Sequence, residues 1–599
     1  MIDRRRLLTA AAGVALVAPL SATAQTPSTP MNAADARLDA LLNGWFYENL
    51  EDSPQNATNL GLDRGERAHL AGKLRDLGPE ANARNRQQAR DRWEIIRTWD
   101  ETGLSEAGKL SLAVARFTAE TSARGAAFDF GQGGSIPYVV SQRSGSYFTV
   151  PDFMANQHRL ETAEDAQAFL SRLKAFARNV DQETALIEAD AAKGVMLPSF
   201  LMDKVLAQLK TLADMVPADM AMIQALIRNT AEKGIAGDWG TQAAGIVDAE
   251  IEPALRRQIA VFEKLRPSAT EDAGAWKLPD GEAFYTYALK ANTTTDYTGE
   301  QVHQIGVEQV ASIQAEIDTI LKTMGMTDGS VGARIKVLNE DPQYLWPNTD
   351  QGKLDLVASL NDQVIETNAL LPRVFNTLPK ASVEVRRVPP SIEIGAPGGY
   401  YQGAPLDGSR PGAYYINLRD TGNWPKWGLR TLTYHEATPG HHLQISIARE
   451  AGALPIYRRT AGFSAYSEGW ALYAERVAAD DLNVYGDDPL GRIGYLQSYL
   501  FRAVRLVVDT GLHHKKWSRQ QAIDYMVAEA GEPADSAQQE IDRYCVSIGQ
   551  ANAYKLGQTV IEGLRQKAEA RPGFDIKAFH DAVLLNGALP LSVLEARLA

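Results

Sequence analysis

The stretch Tyr434-His435-Glu436-Ala437-Thr438-Pro439-Gly440-His441-His442-Leu443-Gln444 organises the rest of the chain. It holds three of the nine histidines, and the first is followed directly by a glutamate. A His-Glu pair begins the zinc-binding pattern H-E-x-x-H, in which two histidines four residues apart share one helical face. The glutamate of that pattern acts as a general base on a water molecule. This density of histidines predicts a metal site.

The spacing of the histidines differs from that pattern, because Pro439 occupies the place of the second histidine. On a regular helix His441 would point about 120° away from His435, and His442 would lie on the same face but roughly 10 Å further along. We therefore expect Pro439 and Gly440 to widen the helix by a bulge. A bulge of two residues would make His441 the second ligand, and a bulge of three would select His442. The smaller distortion favours His441.

A second helix, predicted for residues 465–475, supplies the third ligand. Trp470 and Tyr473 would pack inward, so Glu468 is expected to face the interior, where a buried carboxylate needs a cation. Glu468 would complete a His, His, Glu set that leaves one position for water. Glu475 lies on a similar face and is expected to hydrogen-bond a metal-bound histidine. A structural, salt-bridged role for Glu468 is the alternative.

Two later segments contribute further candidates. Asp509 either pairs with Arg505, four residues earlier, or accepts the N–H of a metal-bound histidine, with His513 close by where that helix ends. Tyr544 and Tyr554 flank a Gly-Gln break, and a tyrosine hydroxyl can hydrogen-bond the oxyanion formed when water attacks a carbonyl.

The neighbours of those tyrosines, Arg543 and Gln550, are candidate substrate-binding residues.

A small sheet is predicted before the histidine helix at 429–450. Apolar and polar residues alternate at 383–388 and again at 413–418, which is typical of strands. In zinc peptidases an edge strand beside the metal-binding helix pairs with the substrate main chain. The second strand, with Tyr414 and Asn417, is the candidate for that role. A purely structural hairpin is the alternative.

The composition limits the possible partners. The chain has 599 residues and a net charge of −13, which argues against nucleic acid and anionic lipid surfaces. Its only cysteine is Cys545, so a metal site must use histidine and carboxylate ligands. The hydrophobic content of 45% is that of a folded protein.

The first 24 residues have the features of a twin-arginine-like secretory signal. Arginines 4 to 6 precede a short apolar run, and Ala22-Thr23-Ala24 forms a cleavage site before Gln25. No cysteine follows that run, so no stable membrane anchor is expected. Residues 25–599 would then form a single helical metallopeptidase-like domain, in one body or two lobes, located in the periplasm or secreted.

Four motifs in combination resemble a bacterial family catalogued as a domain of unknown function. They stand at residues 435–444, 467–475, 509–513 and 549–555. That family looks like a distant relative of the helical gluzincin peptidases, such as thimet oligopeptidase, angiotensin-converting enzyme and the thermophilic bacterial carboxypeptidases. The resemblance implies a mainly α fold: a large helical zincin-like body with a deep cleft and a small β-sheet next to the metal-binding helix.

The resemblance also bears on individual residues. Aligning Gly440-His441 with the Gly-His that closes the relatives' motif supports His441 as the second ligand. The relatives place a late tyrosine on the oxyanion, which supports Tyr544 or Tyr554 in that role.

These observations lead to one functional hypothesis and two alternatives. We expect an exported metallopeptidase that hydrolyses short peptides with one Zn²⁺ held by His435, His441 and Glu468, and with Glu436 as general base. The alternatives are a non-catalytic periplasmic peptide- or metal-binding protein with a peptidase-like fold, and a zinc hydrolase of non-peptide amides. The oligomeric state stays open.

Overall fold

The structure, a computed structural model, describes residues 32–390, 393 and 398–598. The predicted signal segment, residues 1–24, lies outside the described residues. The described chain is mainly helical with one small sheet, as predicted. Among its helices, none combines the length and the apolar character that crossing a bilayer requires.

The helices that precede the sheet are α1 (Ala33–Asp52), α2 (Pro54–Leu60), α3 (Pro79–Arg97), α4 (Glu106–Gly125), α5 (Ser146–Asn156), α6 (Ala163–Ala191), α7 (Ser199–Ala213), α8 (Ala221–Glu232), α9 (Trp239–Ile246), α10 (Glu252–Leu265), α11 (Gly281–Thr293), α12 (Gly299–Thr323), α13 (Val331–Glu340) and α14 (Asp350–Leu370). The strands are β1 (Val383–Arg387), β2 (Gly399–Gln402) and β3 (Gly412–Ile416). The helices that follow are α15 (Lys426–Glu436), α16 (His441–Glu450), α17 (Ile456–Arg459), α18 (Ser464–Arg476), α19 (Pro489–His513), α20 (Arg519–Ala530), α21 (Ala534–Tyr544), α22 (Ala553–Glu569), α23 (Ile576–Leu584) and α24 (Leu591–Leu598).

Local signals account for where many of these helices begin. The side chain of Asn32 accepts a hydrogen bond from the backbone N–H of Asp35 and so caps α1. Thr162 and Asp165 form a reciprocal capping box at the start of α6. Each cap satisfies backbone donors that the first helical turn leaves without a partner.

The sheet has the strand order β1-β3-β2, with β1 parallel and β2 antiparallel to β3. β3 is therefore the central strand, and the prediction that it is a free edge for a substrate main chain is wrong. The hairpin alternative is also wrong, since the two predicted strands run parallel. The connection between them supplies β2, which contributes a third strand at the edge of the sheet.

Helix α19 is buried along most of its length and forms the centre of the helical packing. It lies against α12, α15 and α20, while α18 packs along α22. The close approach of α18 and α22 depends on a pair of glycines, since a Cβ on Gly469 would lie 2.4 Å from the carbonyl carbon of Gly557. This contact carries the start of α22 towards the end of α15.

The helix predicted for residues 429–450 is in fact two helices, and the predicted bulge is wrong. α15 ends at Glu436 and α16 begins at His441. Ala437 and Gly440 leave helical geometry, with ψ values of −110° and −129°. Pro439 has no N–H to continue the hydrogen-bond ladder, so the chain breaks where a bulge was expected.

The turn between the two helices folds back tightly on α15. A Cβ on Gly440 would lie 1.9 Å from the carbonyl oxygen of His435, so only glycine fits there. The indole Nε1 of Trp470, on α18, donates to the carbonyl oxygen of Pro439 at 3.0 Å. The turn is thus tied to the helix that carries Glu468.

Candidate metal centre

Three side chains from three helices converge at the break between α15 and α16. Nε2 of His435 and Nε2 of His441 each lie 3.4 Å from Oε2 of Glu468. One ligand atom from each of the three residues falls within 4.8 Å of the others. His435 ends α15, His441 begins α16, and Glu468 lies in the first turns of α18. The structure therefore brings together the three residues that the sequence analysis selected.

Oε2 of Glu468 faces both imidazoles of the cluster but forms no hydrogen bond with either of them. Among the described residues, Glu468 Oε2 and His441 Nδ1 are buried without a hydrogen-bond partner. The Glu468 side chain is 20% exposed, so the cluster is open to solvent on one side. A polar oxygen aimed between two imidazoles without a hydrogen bond has the arrangement expected of a cation ligand.

The imidazole of His435 is oriented from behind by Glu475. Its Nδ1 lies 2.9 Å from Oε1 of Glu475, a carboxylate that is fully buried on α18. The Nδ1–H group therefore donates a hydrogen bond to the carboxylate, which directs the Nε2 edge of the ring towards the cluster. Glu475 occupies the hydrogen-bonding position that its spacing from Glu468 predicted.

Charge is concentrated in this small volume. Burial disfavours the charged form of His435, but the carboxylates of Glu468 and Glu475 outweigh that effect and raise its pKa to about 9. Burial alone would raise the pKa of Glu468, yet the imidazoles of His441 and His435 hold it well below its usual range. The first shift favours a positive charge on His435, and the second favours the ionised form of Glu468.

Glu436 is buried next to the cluster. Burial raises the pKa of its carboxyl group, a shift that His441 and His435 oppose and that Glu468 reinforces. A carboxylate whose pKa moves towards neutrality is a better proton acceptor at working pH than an exposed glutamate.

His442 points away from the cluster and towards the sheet. Its Nε2 donates to the carbonyl oxygen of Ala381 at 3.0 Å, and its Nδ1 accepts from the hydroxyl of Tyr401 at 2.9 Å. Burial lowers the pKa of His442 to about 4, so the ring is neutral. Both ring nitrogens are occupied, and the alternative in which His442 takes the place of His441 does not fit this geometry.

The two candidate tyrosines have different surroundings. The ring of Tyr554 stacks on that of His435, with centroids 6.4 Å apart and planes within 17°. Burial raises the pKa of the Tyr554 hydroxyl, and the Glu468 charge adds to the shift. The hydroxyl of Tyr544, in contrast, donates to Glu540 at 2.6 Å. Tyr554 is therefore the tyrosine beside the cluster.

Asp509 and His513 hydrogen-bond neither His435 nor His441, so the prediction that they support these histidines is wrong. Asp509 accepts hydrogen bonds from the Tyr285 hydroxyl at 2.9 Å, from Asn552 at 2.6 Å and from the backbone of Gly549 at 3.2 Å. These partners tie α19 to α11 and to the start of α22.

Backbone groups occupy both ring nitrogens of His513. Its Nδ1 accepts from the N–H of Ala275, and its Nε2 donates to the carbonyl oxygen of Tyr544. His513 therefore fixes the end of α19 to its neighbours and contacts neither His435 nor His441.

The strand residues predicted to bind substrate are structural. Tyr414 is fully buried on the central strand, out of reach of a substrate. Asn417 donates to the carbonyl oxygen of Glu393 at 2.6 Å, and its backbone carbonyl accepts from the indole of Trp424. Both residues build the sheet and its connection to α15.

Arg543 and Gln550 lie together beside the tyrosines. Nη1 of Arg543 donates to Oε1 of Gln550 at 2.7 Å, and Nη2 donates to Glu540 at 2.9 Å. Two further arginines of this region, Arg502 and Arg505, were not predicted to belong to the site. Arg505 pairs with Glu540 at 2.9 Å, not with Asp509. The feature of the sequence that could have identified them is the occurrence of two arginines in an otherwise apolar helix.

The chain is similar to two bacterial proteins of known structure. A protein of Colwellia psychrerythraea, described as a "putative lipoprotein", superposes with a TM-score of 0.90 at 34% identity, covering 94% of this chain and 98% of that chain. A "putative lipoprotein of unknown function" of Shewanella oneidensis superposes with a TM-score of 0.67 at 18% identity, covering 94% and 99%; this likeness concerns the fold alone. No curated protein matches the chain.

A family model described as a bacterial protein of unknown function, DUF885, matches residues 54–598. The match spans the sheet, every helix from α2 onwards and all residues of the cluster. The chain therefore belongs to the bacterial DUF885 family.

Proposed function

We propose that this protein is an exported zinc metallopeptidase that hydrolyses short peptides, built on the plan of the helical gluzincins. The observation that carries the proposal is the convergence of His435 Nε2, His441 Nε2 and Glu468 Oε2 next to the buried carboxylate of Glu436. Two imidazoles and one carboxylate with an open fourth position are the ligand set of catalytic zinc sites.

Two of the three separations between the donor atoms, and the charge of the cluster, fit a zinc ion. Tetrahedral zinc with bonds of about 2.0–2.2 Å separates adjacent ligand atoms by roughly 3.4 Å. The two histidine-to-Glu468 separations are 3.4 Å. Three carboxylates, Glu436, Glu468 and Glu475, surround two imidazoles, and such a buried excess of negative charge requires a cation. The unpartnered Oε2 of Glu468 provides a ligand atom for it.

Each side chain then has a defined task. Bound zinc supplies a Lewis acid that polarises the scissile carbonyl and makes water more acidic. His435, held by Glu475, and His441 keep their Nε2 atoms directed at one point. Glu436 accepts a proton from the attacking water and passes it to the nitrogen of the leaving amine, so the C–N bond breaks with a neutral leaving group.

Tyr554 is the oxyanion donor in this scheme. Removing one such donor costs about 10²- to 10³-fold in kcat. Tyr554→Phe should therefore lose activity on that scale with unchanged zinc content. Tyr544→Phe should lose much less, because the Tyr544 hydroxyl is bonded to Glu540. Equal losses in the two variants would assign no special role to Tyr554.

The decisive experiment measures metal content and peptide hydrolysis in the same preparations. Wild-type protein should carry about one zinc per chain and cleave short peptides. Glu436→Gln should keep its zinc and lose activity by at least 10²-fold. Glu450→Gln, a nearby glutamate of α16 that instead accepts from the backbone of Lys380 and Ala381, is the matched control.

Other results would favour the alternatives. Fully metallated protein that binds peptides without turnover would identify a peptide-binding protein. Hydrolysis of non-peptide amides with no peptide cleavage would identify an amidase. Full peptidase activity in Glu436→Gln would remove Glu436 from the mechanism.

A further inference from the structure

Three arginines, Arg143, Arg505 and Arg543, stand near Tyr554, and a fourth, Arg502, acts on Glu436 of the cluster. Arg502 and Arg505 lie on α19, Arg543 is in the last turn of α21, and Arg143 precedes α5. Burial and the neighbouring guanidinium of Arg543 both lower the pKa of Arg143. Like charges are therefore crowded in this region, which is unfavourable unless an anion joins them.

Among the described residues, Glu540 is the only acid that forms an ion pair with any of these four arginines. Nη2 of Arg505 and Nη2 of Arg543 each lie 2.9 Å from the same oxygen, Oε2 of Glu540, which also accepts from Tyr544. Glu532 is another acid on which Arg502 and Arg505 act, and burial raises its pKa to about 6. In the described chain no ion pair within 4.0 Å joins Glu532 to an arginine. The four arginines therefore share a single ion-pair partner within the part of the chain that the structure describes.

Among the described arginines of this group, Arg505 has the most buried donors without a hydrogen-bond partner. The residue is only 6% exposed, and its guanidinium packs against the rings of Phe501 and Tyr554, at 4.4 and 4.5 Å from their centroids. Nη2 is used by Glu540, whereas Nε and Nη1 have no hydrogen-bond partner among the described residues. Buried donors without partners are costly. The rings hold the guanidinium in a fixed plane, which suits two-point binding of a carboxylate.

This guanidinium is close to the catalytic cluster. The ring of Tyr554 contacts Arg505 and also stacks on His435. Arg502 also exerts an electrostatic effect on Glu436. One extended residue spans about 3.3–3.6 Å. A carboxylate held at Arg505 would therefore belong to a group one or two residues away from the carbonyl that reacts at the cluster.

We infer that Arg505, supported by Arg502 and Arg543, is a subsite for a substrate carboxylate, occupied by the free α-carboxylate one or two residues beyond the scissile bond. This inference rests on the proposed peptidase function and specifies it as the release of short fragments from the carboxyl end of peptides. An acidic side chain carries the same chemical group, so the experiment must separate the two sources.

The test is binding calorimetry on the zinc-loaded Glu436→Gln protein and on metal-free wild type. The probes are acetyl-tetraalanine with a free carboxylate, the same peptide as its amide, and the amide with aspartate as the last residue. The free acid should bind about 10- to 100-fold more tightly than the plain amide, also without zinc. Equal binding of the two would overturn the subsite. An aspartyl amide that binds as tightly as the free acid would overturn the α-carboxylate as its occupant.

Variants assign the effect to a residue. Arg505→Gln should lower the affinity for the free acid by that same factor and leave the affinity for the amide unchanged. Arg505→Lys should retain part of the preference. Arg266→Gln, whose arginine pairs with Asp203 at the surface, is the control. If Arg505→Gln does not fold, as judged by circular dichroism, the wild-type comparison of acid and amide still decides.

The two proposals fail in different ways. Peptide hydrolysis without any preference for a free carboxylate would leave the peptidase proposal standing and remove the subsite. A carboxylate preference in zinc-loaded wild type that cleaves no peptide would leave the subsite and remove the peptidase.

Discussion

His435 and Glu475 share a hydrogen bond that is sealed from solvent on both sides, with 2.9 Å between Nδ1 and Oε1. Glu475 lies two turns after Glu468 on the same face of α18. One helix thus supplies a candidate ligand and also the group that orients another.

The first prediction concerns that hydrogen bond. Glu475→Gln should weaken zinc binding about 10- to 100-fold, because the imidazole loses its charged acceptor and part of its basicity. Competition with a chelator measures the dissociation constant. Glu569→Gln, which removes an acid paired with Arg565 on α22, should leave the zinc affinity unchanged. Unaltered affinity in Glu475→Gln would contradict the orienting role.

The second prediction separates the adjacent histidines. His441→Ala should lose zinc because it removes one of the three converging nitrogen and oxygen atoms. His442→Ala should keep zinc but unfold more easily, by about 1–3 kcal/mol, because the carbonyl oxygen of Ala381 and the Tyr401 hydroxyl lose their partner. Metal analysis and urea unfolding measure the two effects. Zinc lost from His442→Ala alone would reverse the assignment.

The third prediction concerns the turn. Gly440→Ala places a methyl group 1.9 Å from the carbonyl oxygen of His435, so the turn must shift and the proposed zinc site with it. We expect a loss of about 1–3 kcal/mol in unfolding free energy, the usual cost of overpacking, together with weaker zinc binding. Gly428→Ala, in α15 with no atom within 4 Å of the added carbon, is the matched control and should be neutral or stabilising. An undisturbed zinc site in Gly440→Ala would contradict this account of the turn.

The fourth prediction concerns pH and a site far from the cluster. Glu183, on α6, accepts hydrogen bonds from the backbone and hydroxyl of Ser146, but burial raises its pKa from 4.5 to about 7. Between these values the folded protein binds more protons than the unfolded chain, so stability falls as the pH rises through that window. The contribution lost by pH 8 is about 3 kcal/mol.

Glu183→Gln should remove that pH dependence, because the amide does not ionise. The unfolding free energies of variant and wild type are measured in urea between pH 4 and pH 8. Their difference should change by about 3 kcal/mol in favour of the variant as the pH rises through this window. Glu188→Gln, on the exposed side of α6, controls for the loss of a carboxylate from this helix. Parallel curves for wild type and Glu183→Gln would contradict the prediction.

Helical periodicity was a reliable guide wherever a helix is unbroken. The relation between Glu468 and Glu475 follows from a seven-residue spacing on one continuous helix, and the structure has that helix. The capping of α1 by Asn32 likewise depends on adjacent residues alone. These features are local, so neighbouring residues are sufficient to predict them.

The features that were missed depend on contacts between distant residues. The path of the turn involves a hydrogen bond from Trp470 to Pro439, which no local pattern reveals. The central place of β3 results from pairing with Gly399–Gln402, a segment without an alternating pattern. The partners of Asp509 come from α11 and from the start of α22.

The interruption after Glu436 has a consequence for recognising such centres in other proteins. Once a helix stops and restarts, the interval between two ligating residues is no longer governed by 3.6 residues per turn, and an intervening loop can be lengthened without separating them in space. Sequence searches that require a fixed spacing between two histidines will miss proteins with such an interrupted helix. Searches of three-dimensional structures for converging donor atoms will find them.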